Sequence, residues 1–393
     1  MSQELSGNIL DDSQLLLLDA LAYCFSRNAD ISEGSTLAQI VTDIDSGIKR
    51  NMQQANMTMG SLMAEQMTYA QWFVVIDAIR RDRALCQLTL DSYSTDERGA
   101  RLACFSDSGN RAYVIIAGTG PGEWDDNCLG GYLADTEQQI RTLKWFTDEV
   151  IPRHYDRVVA SGHSKGGNKA MYLAVQAGDS IDSAISFDGQ GFSRQFLAAY
   201  ADQIAEHSGK IIAYALDNDI VNGLLNPIAP PENRIYLQGE SYDSVFAYHA
   251  PFALLMRRAA DPYRLALRKP GAQRELGKVS VAFTDYLQTQ MSPSELPSLC
   301  HFLGKSIESR TRSSLNAEQR RAELESLASS ENLEPTVDLF TRFFKSIGKN
   351  VSSRDVTLLL LGYDPKEGLD IDTLAVLAKV RLPEAFREMI MRE

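Results

Sequence analysis

The chain has 393 residues, of which 44% are hydrophobic and 23% are charged, so it has enough apolar side chains to bury a sizeable core. Its 39 basic and 52 acidic side chains leave a net charge of −13, which disfavours a nucleic acid or an anionic lipid surface as partner because their phosphates would be repelled. None of the five cysteines forms a CxxC pair, which argues against a zinc site or a disulfide framework and favours a reducing compartment. We therefore expect a cytoplasmic protein with no metal, no cofactor, no nucleic-acid partner and no stable membrane anchor.

Residues 12–80 have the spacing of amphipathic helices. Leu15 and Leu18 fall on one face of the first of them. Two further helical patterns follow, over residues 36–49 and 59–81. The sequence thus predicts a helical N-terminal segment.

From about residue 85 the hydrophobic period changes to that of strands. Two short strands joined by a polar turn predict a hairpin, and the continuous apolar run that follows predicts a strand buried on both faces. The predicted elements are, in chain order, strands at 86–93, 100–105 and 113–117, a helix at 134–150, a strand at 157–161, a helix at 165–177, a strand at 181–187, a helix at 194–206, and strands at 210–216 and 234–238. Alternation of strand and helix is typical of βαβ units, so we predict an α/β fold with a mostly parallel central sheet and helices on both faces.

Beyond about residue 270 only helical patterns remain, and they predict an all-helical C-terminal tail. These patterns cover residues 315–329, 336–347, 353–361 and 371–380. We therefore divide the chain into a first domain at residues 1–268, which includes the N-terminal helices, and a helical C-terminal region at residues 269–393.

The strongest chemical signal is the segment Gly162–Gly166, which reads Gly-His-Ser-Lys-Gly. It follows the predicted strand at 157–161 and opens the predicted helix at 165–177. A strand–turn–helix setting with small flanking residues allows a serine to adopt a strained, exposed conformation at the end of a sheet. The pattern therefore predicts Ser164 as a nucleophile.

A serine hydroxyl needs a base to remove its proton, and only five histidines are available. His163 lies in the turn itself, while His154 and His207 precede strands and so belong to the opposite end of a parallel sheet. In this architecture the base follows the nucleophile and the acid along the chain, which leaves His249 and His301. His249 follows the last predicted strand, whereas His301 belongs to the helical tail, so we predict His249 as the base.

The acid that orients the imidazole is expected just after a strand, between the serine and the histidine. Asp217 and Asp219 follow the predicted strand at 210–216, and Asp188 follows the one at 181–187. We prefer Asp219, which lies two residues farther into its loop than Asp217. Asp188 and Asp217 remain open as alternatives, since an aspartate also caps turns well.

Backbone amides near the serine are needed to hold an oxyanion. One is expected at Lys165, at the start of the helix after the serine, and another at Thr119, in the loop after the strand at 113–117. We expect Gly118 and His163 to contact the substrate. The glycines of this loop are not followed by the Gly-Lys-Ser/Thr sequence of a phosphate cradle, so nucleotide binding is disfavoured.

Residues 120–133 lie between this loop and the next predicted helix. Four glycines give the segment hinges, and Trp124 with three other apolar side chains gives it a surface that can close over an apolar chain. We predict a mobile flap over Ser164, with Trp124 in contact with the substrate. A rigid loop in which Trp124 is packed as core remains the alternative.

Several segments together resemble the Mbeg-like hydrolases, a branch of the α/β-hydrolase superfamily related to the class 3 lipases. The resembling segments are Leu15–Tyr23, Ala117–Thr119, Trp124–Asp126, Gly162–Asn168, Phe187–Phe192, Asn218–Val221 and His249–Phe252. The resemblance implies an α/β-hydrolase fold and a Ser–Asp–His hydrolase, with Ser164, Asp219 and His249 at the triad positions. The chain departs from the pattern at Ala117, where class 3 lipases usually have arginine, and at Gln190, where proline is usual.

Two classes of function are compatible with these residues. The first is an esterase or lipase that cleaves a small-molecule or lipid ester through an acyl-enzyme, and thioesterase or acyltransferase activity would use the same triad. The second is a catalytically silent binding protein with this fold. We favour the enzyme, because a candidate for every member of the triad is present.

Overall fold

The structure is a computed structural model that describes residues 10–25, 31–64, 67–95, 101–120, 122–242, 245–311 and 317–361. The predicted helix at 371–380 lies outside these residues. The strands are β1 (Leu62–Ala64), β2 (Met67–Thr68), β3 (Thr89–Thr95), β4 (Arg101–Ser106), β5 (Arg111–Ile116), β6 (Arg157–His163), β7 (Ser183–Phe187), β8 (Ile211–Leu216), β9 (Arg234–Leu237), β10 (Leu255–Arg258) and β11 (Asp261–Leu267). The helices are α1 (Asp12–Ala22), α2 (Leu37–Gln54), α3 (Tyr69–Arg81), α4 (Arg83–Cys86), α5 (Trp124–Leu129), α6 (Glu137–Trp145), α7 (Lys165–Gln176), α8 (Arg194–Ala199), α9 (Ala201–His207), α10 (Val245–Tyr248), α11 (Glu275–Gln290), α12 (Leu296–Thr311), α13 (Ala317–Ala328), α14 (Leu333–Ser346) and α15 (Ser353–Leu360).

Strands β3 to β9 form one sheet whose spatial order follows the order of the chain. β3, β4 and β5 pair antiparallel, whereas β5 to β9 pair parallel. Parallel strands need crossover connections, and helices supply them between β5 and β8. The mostly parallel sheet confirms the predicted α/β architecture.

The central strands β5, β6 and β7 are buried on both faces, as their continuous apolar runs predict. Tyr113 and Ile115 of β5 belong to a core that they share with α1, α2 and α3. Their neighbours Val114 and Ile116 point to the other side and belong to a second core, which contains the apolar side chains of α7 and α8. Helices therefore cover both faces of the sheet.

The first helix, α1, is buried on all sides. Leu15 to Leu18 are at most 4% exposed, and the helix packs against β5, β6 and α3. Among these apolar side chains lies Asp19, which is 0% exposed and accepts a hydrogen bond of 2.6 Å from the Ser161 hydroxyl of β6. Burial raises the pKa of the Asp19 carboxyl well above its usual range.

Two predictions for local structure were wrong. The helix predicted over 59–81 begins only at Tyr69, because Thr68 and Gln71 form a capping box there, and β1 and β2 occupy the preceding residues. We also predicted no strand after residues 234–238, but β10 and β11 form an antiparallel hairpin after the 3-10 turn Pro251–Leu254. β10 has only four residues, so its hydrophobic period does not distinguish a strand from a helix.

The chain divides into two compact units. The first comprises the described residues up to Gly120 together with Ala134–Thr284, and the second comprises the described residues of 121–133 and those from Asp285 onward. No helix in the described ranges has both the length and the apolar composition needed to traverse a bilayer.

Within the second unit, α5 packs closely against α12. The Glu308 carboxylate accepts hydrogen bonds from the backbone N–H groups of Gly122, at 2.6 Å, and Trp124, at 3.2 Å. A Cβ on Gly304 would lie only 2.7 Å from the Cα of Asp125, so the two backbones meet where α12 has no side chain. The segment that we predicted as a flap is thus fastened to the C-terminal helices of its own unit.

Asp19→Asn tests the raised pKa of the buried carboxyl. Because the folded-state pKa of Asp19 is raised above its unfolded value, the unfolded chain loses this proton first and the free energy of unfolding falls as pH rises above about 4. Asparagine keeps the acceptor for Ser161 and cannot ionise. We expect the Tm of Asp19→Asn, relative to wild type, to increase from pH 4 to pH 8 in thermal unfolding scans. A Tm difference that does not change with pH would contradict the assignment.

Candidate active site

Ser164 lies in a sharp turn between β6 and α7. Its backbone has φ 59° and ψ −128°, a conformation that is strained for any residue but glycine. A Cβ on Gly162 would lie 2.2 Å from the carbonyl carbon of Gly166, and one on Gly166 would lie 2.0 Å from the Ile116 carbonyl oxygen. Both glycines are therefore required by close backbone contacts, and the Ser164 N–H is fixed by the Phe187 carbonyl at 2.8 Å.

The structure brings Ser164, His249 and Asp219 together in one chain of hydrogen bonds. Ser164 Oγ lies 2.7 Å from His249 Nε2, and His249 Nδ1 lies 3.0 Å and 3.2 Å from the two carboxylate oxygens of Asp219. A carboxylate only accepts hydrogen bonds, so the imidazole carries its proton on Nδ1 and leaves Nε2 to accept from the serine. This is the protonation state that a general base requires.

Burial and backbone contacts hold this chain of groups in place. Asp219 is 0% exposed and accepts a further hydrogen bond of 2.9 Å from the Val221 N–H.

Asp217, the neighbouring alternative for the acid, instead pairs with Arg274 at 3.1 Å. His301, the alternative for the base, lies in the second unit, where its Nδ1 is 3.0 Å from an Asp125 carboxylate oxygen.

The third alternative for the acid, Asp188, lies beside the hydrogen-bonded chain without joining it. Its carboxyl is completely buried, and Oδ1 accepts hydrogen bonds from the Leu216 N–H at 2.7 Å and the Asn222 amide at 3.2 Å. Burial, followed by the nearby charge of Asp219, raises the pKa of Asp188 well above its usual range. The site therefore contains two carboxyl groups near one imidazole.

His163 is buried, and its ring contacts Tyr23 and His249. Its Nδ1 is 2.8 Å from the Tyr23 hydroxyl, and its ring centre is 4.9 Å from that of His249, with the planes inclined by 39°. Burial, and secondarily the charge that His249 can carry, lowers the pKa of His163 well below its usual range. We predicted substrate contact for His163, and the structure places its neutral ring against the imidazole of His249.

The loop after β5 reaches the serine turn at Gly118. A Cβ on Gly118 would lie 1.9 Å from the Tyr23 hydroxyl oxygen and 2.9 Å from the His163 carbonyl oxygen, so glycine is needed here. The Arg101 guanidinium, which is 3% exposed, donates hydrogen bonds to the carbonyl oxygens of Gly118, at 3.1 Å, and Tyr23, at 3.4 Å. The loop that carries Thr119 is thus held from two sides.

Lys165 is the first residue of α7, directly after Ser164. Amides in the first turn of a helix have no acceptor within that helix, and they lie at the positive end of its dipole. The parallel pairing of Ile116 with Gly162 brings the loop of Thr119 to the same edge of the sheet. This arrangement is compatible with an oxyanion site between the amides of Lys165 and Thr119.

One group of side chains has the donors of a metal site. His163, Asp188 and His249 each offer one ligand atom, and these atoms lie within 4.8 Å of one another. However, both ring nitrogens of His249 already contact Ser164 or Asp219, so a metal bound there would break one of these hydrogen bonds. The donor set therefore fits a resident metal poorly.

Sequence reasoning missed the residues that support the site from outside its loops. Tyr23 and Asp19 belong to α1 or follow it directly, and Arg101 begins an antiparallel strand. A charged residue at the start of an apolar strand, and an aspartate among leucines, are signals that sequence analysis can use. Neither signal indicates which residue the side chain contacts in the fold. Ser161, which hydrogen bonds Asp19, is 142 positions away in the chain.

The chain is similar to a known protein family over part of its length. The model of the Mbeg1-like family matches residues 113–257. This confirms the resemblance. The matched segment contains Ser164, Asp219 and His249. The mostly parallel sheet with helices on both faces is the α/β architecture that the resemblance implies.

Two solved lipase structures are similar to the chain. The Lip2 lipase from Yarrowia lipolytica is 10% identical, with 69% of this chain and 90% of that chain covered and a TM-score of 0.35. The M37 lipase is 16% identical, with 55% of this chain and 70% of that chain covered and a TM-score of 0.31. No curated protein matches the chain.

Proposed function

We propose that this protein is a serine hydrolase of the esterase or lipase type, which cleaves a carboxylic ester through an acyl-enzyme on Ser164. One observation carries the proposal. The hydroxyl of a strained serine lies 2.7 Å from an imidazole nitrogen whose partner nitrogen faces a buried carboxylate. A turn held in an unfavourable backbone conformation by close glycine contacts is costly for a protein that only binds a partner, and it supports a catalytic role.

In the proposed reaction, His249 removes the proton from Ser164 Oγ as the oxygen attacks the ester carbonyl. Asp219 accepts the Nδ1–H hydrogen bond, which fixes the tautomer and stabilises the imidazolium that forms. The negative oxygen of the tetrahedral intermediate is held by the backbone N–H groups of Lys165 and Thr119. His249 then returns the proton to the leaving alcohol, and a water molecule releases the acyl group by the same steps.

For the substrate we propose an ester with an apolar acyl or alkyl group, in contact with Gly118 and covered by the flap at residues 120–133. Trp124 supplies the main apolar surface of that segment. The odd number of cysteines without CxxC spacing supports the cytoplasm as the place of action.

Labelling with a fluorophosphonate probe tests the nucleophile. Wild-type protein should become covalently labelled, whereas Ser164→Ala should not, and its kcat for activated esters should fall by about three or more orders of magnitude because the attacking oxygen is absent. Ser46→Ala, an exposed serine on α2, is the matched control and should behave as wild type. Labelling of Ser164→Ala at the wild-type level would overturn the assignment.

His249→Ala should be about as damaging as loss of the serine, because the two side chains act as one unit. His301→Ala serves as its control, since His301 contacts Asp125 within the second unit. Both variants can be compared by kcat on one ester, with the Tm measured to exclude unfolding. If His301→Ala abolished activity and His249→Ala did not, the base would have to be reassigned.

A panel of esters and thioesters from acetyl to octanoyl tests the substrate class. If the flap covers the chain, kcat/KM should rise with length, by up to ~0.8 kcal/mol or about fourfold for each methylene that is fully buried. Trp124→Ala should flatten this slope while acetyl-ester turnover persists. Ile140→Ala, which removes an exposed apolar side chain on α6, should leave the slope unchanged. A preference for acetyl esters in wild type would indicate a small-ester hydrolase without a flap.

A further inference from the structure

Asp188 lies close enough to the imidazole to replace the acid after a small movement. An Asp188 carboxyl oxygen, a His163 ring nitrogen and a His249 ring nitrogen all lie within 4.8 Å of one another. A hydrogen bond needs about 3 Å, so a shift of about 2 Å would bring the carboxyl into contact with His249. The required shift is small because Asp188 follows β7 and Asp219 follows β8, two neighbouring parallel strands.

The fold does not require a carboxyl group at position 188, because an amide would make the same hydrogen bonds. Asp188 has φ 49°, is 0% exposed, and accepts hydrogen bonds from Leu216 and Asn222 through Oδ1. Asparagine tolerates the same backbone region and would accept both hydrogen bonds through its amide oxygen. It would also avoid placing an ionisable group in a buried site, which is costly when the group is charged.

The second carboxyl oxygen gives an independent indication. Asp188 Oδ2 is buried and has no hydrogen-bond partner among the described residues. A buried acceptor without a partner is destabilising, and it becomes satisfied when it gains a hydrogen-bond donor. The Nδ1–H of His249 is a donor that Asp188 Oδ2 would gain by this movement.

We propose that Asp188 is a second acid of this site, which shares a single negative charge with Asp219 and orients His249 when Asp219 is absent. The proposal rests on the proposed function, since it assigns a role toward the same base. Two carboxyl groups near one imidazole do not both ionise readily, so one of them retains a proton. In the resting protein that proton is on Asp188, and Asp219 accepts from His249.

The charges balance in both forms of the site. In wild type, the serine proton passes to His249 Nε2 and back to the leaving group, while Asp188 keeps its own proton throughout. When Asp219 is replaced by alanine, Asp188 releases its proton to solvent and its carboxylate accepts the Nδ1–H of His249. The site carries one carboxylate in either case.

A double-mutant cycle of Asp219→Ala and Asp188→Asn tests the proposal. Loss of the only acid of a triad costs about 10⁴-fold in kcat, so Asp219→Ala should cost markedly less here, about 10²-fold, because Asp188 takes over. Asp188→Asn alone should cost less than about tenfold, and the double variant should show the full loss of about 10⁴-fold. Asp188→Asn would therefore be far more damaging without Asp219 than with it. A double variant no slower than Asp219→Ala, or an Asp188→Asn variant as slow as the double variant, would overturn the proposal.

A proton NMR measurement separates this role from a merely structural one. The low-field resonance of a His249 Nδ1–H that is bonded to a carboxylate should persist in Asp219→Ala and disappear in the double variant. Asp219→Asn, which keeps an acceptor for Val221, is the second background if the alanine variant unfolds. Loss of the resonance in Asp219→Ala would contradict the proposal.

The NMR result does not depend on catalysis. If wild-type protein neither reacts with the fluorophosphonate probe nor cleaves any ester, the proposed function fails, while the resonance still reports whether Asp188 reaches His249.

Discussion

The backbone of Ser164 is the constraint on which the site depends. A non-glycine residue at positive φ costs about 1–3 kcal/mol and persists only when its surroundings determine it fully. Here the Ile116 carbonyl contacts Gly166, and Gly162 also contacts Gly166. The Ser164 N–H donates a hydrogen bond to the Phe187 carbonyl. Three neighbouring strands, β5, β6 and β7, each supply one of these contacts, so the turn depends on the register of the sheet.

The same register explains why the partners of Ser164 can be distant in the chain. The carboxyl ends of parallel strands meet at one edge of a sheet, where loops can place side chains over a common point. Asp188 follows β7, Asp219 follows β8, and His249 follows β9. Asp217 arrives at the same edge, but its carboxylate pairs with Arg274.

Sequence patterns predicted the parts of the structure in which the local hydrophobic pattern matches the secondary structure that forms. The long alternation of strands and helices and the glycines around Ser164 were sufficient for the sheet and the turn. Short apolar segments were not, because β1 and β10 are too short for their period to be distinguished from that of a helix. The geometry also distinguishes Asp219 from Asp217, which precedes it by two positions and differs in its tertiary contact with Arg274. The spacing of residues along the chain does not indicate such a contact. The catalytic roles themselves stay predictions.

The N-terminal helix belongs to the site as well as to the core. Asp19 hydrogen bonds Ser161, three residues before the serine, and Tyr23 hydrogen bonds His163, one residue before it. Arg101 joins the carbonyl of Tyr23 to that of Gly118.

Buried polar groups are tolerated only when they are paired, so α1, β6 and the Gly118 loop must fit together for any of them to fold correctly. An apolar helix of the same length would fill the space beneath β6 but would leave the Ser161 hydroxyl and His163 Nδ1 without these partners. The sequence of α1 is therefore constrained by the chemistry of the serine turn as well as by packing.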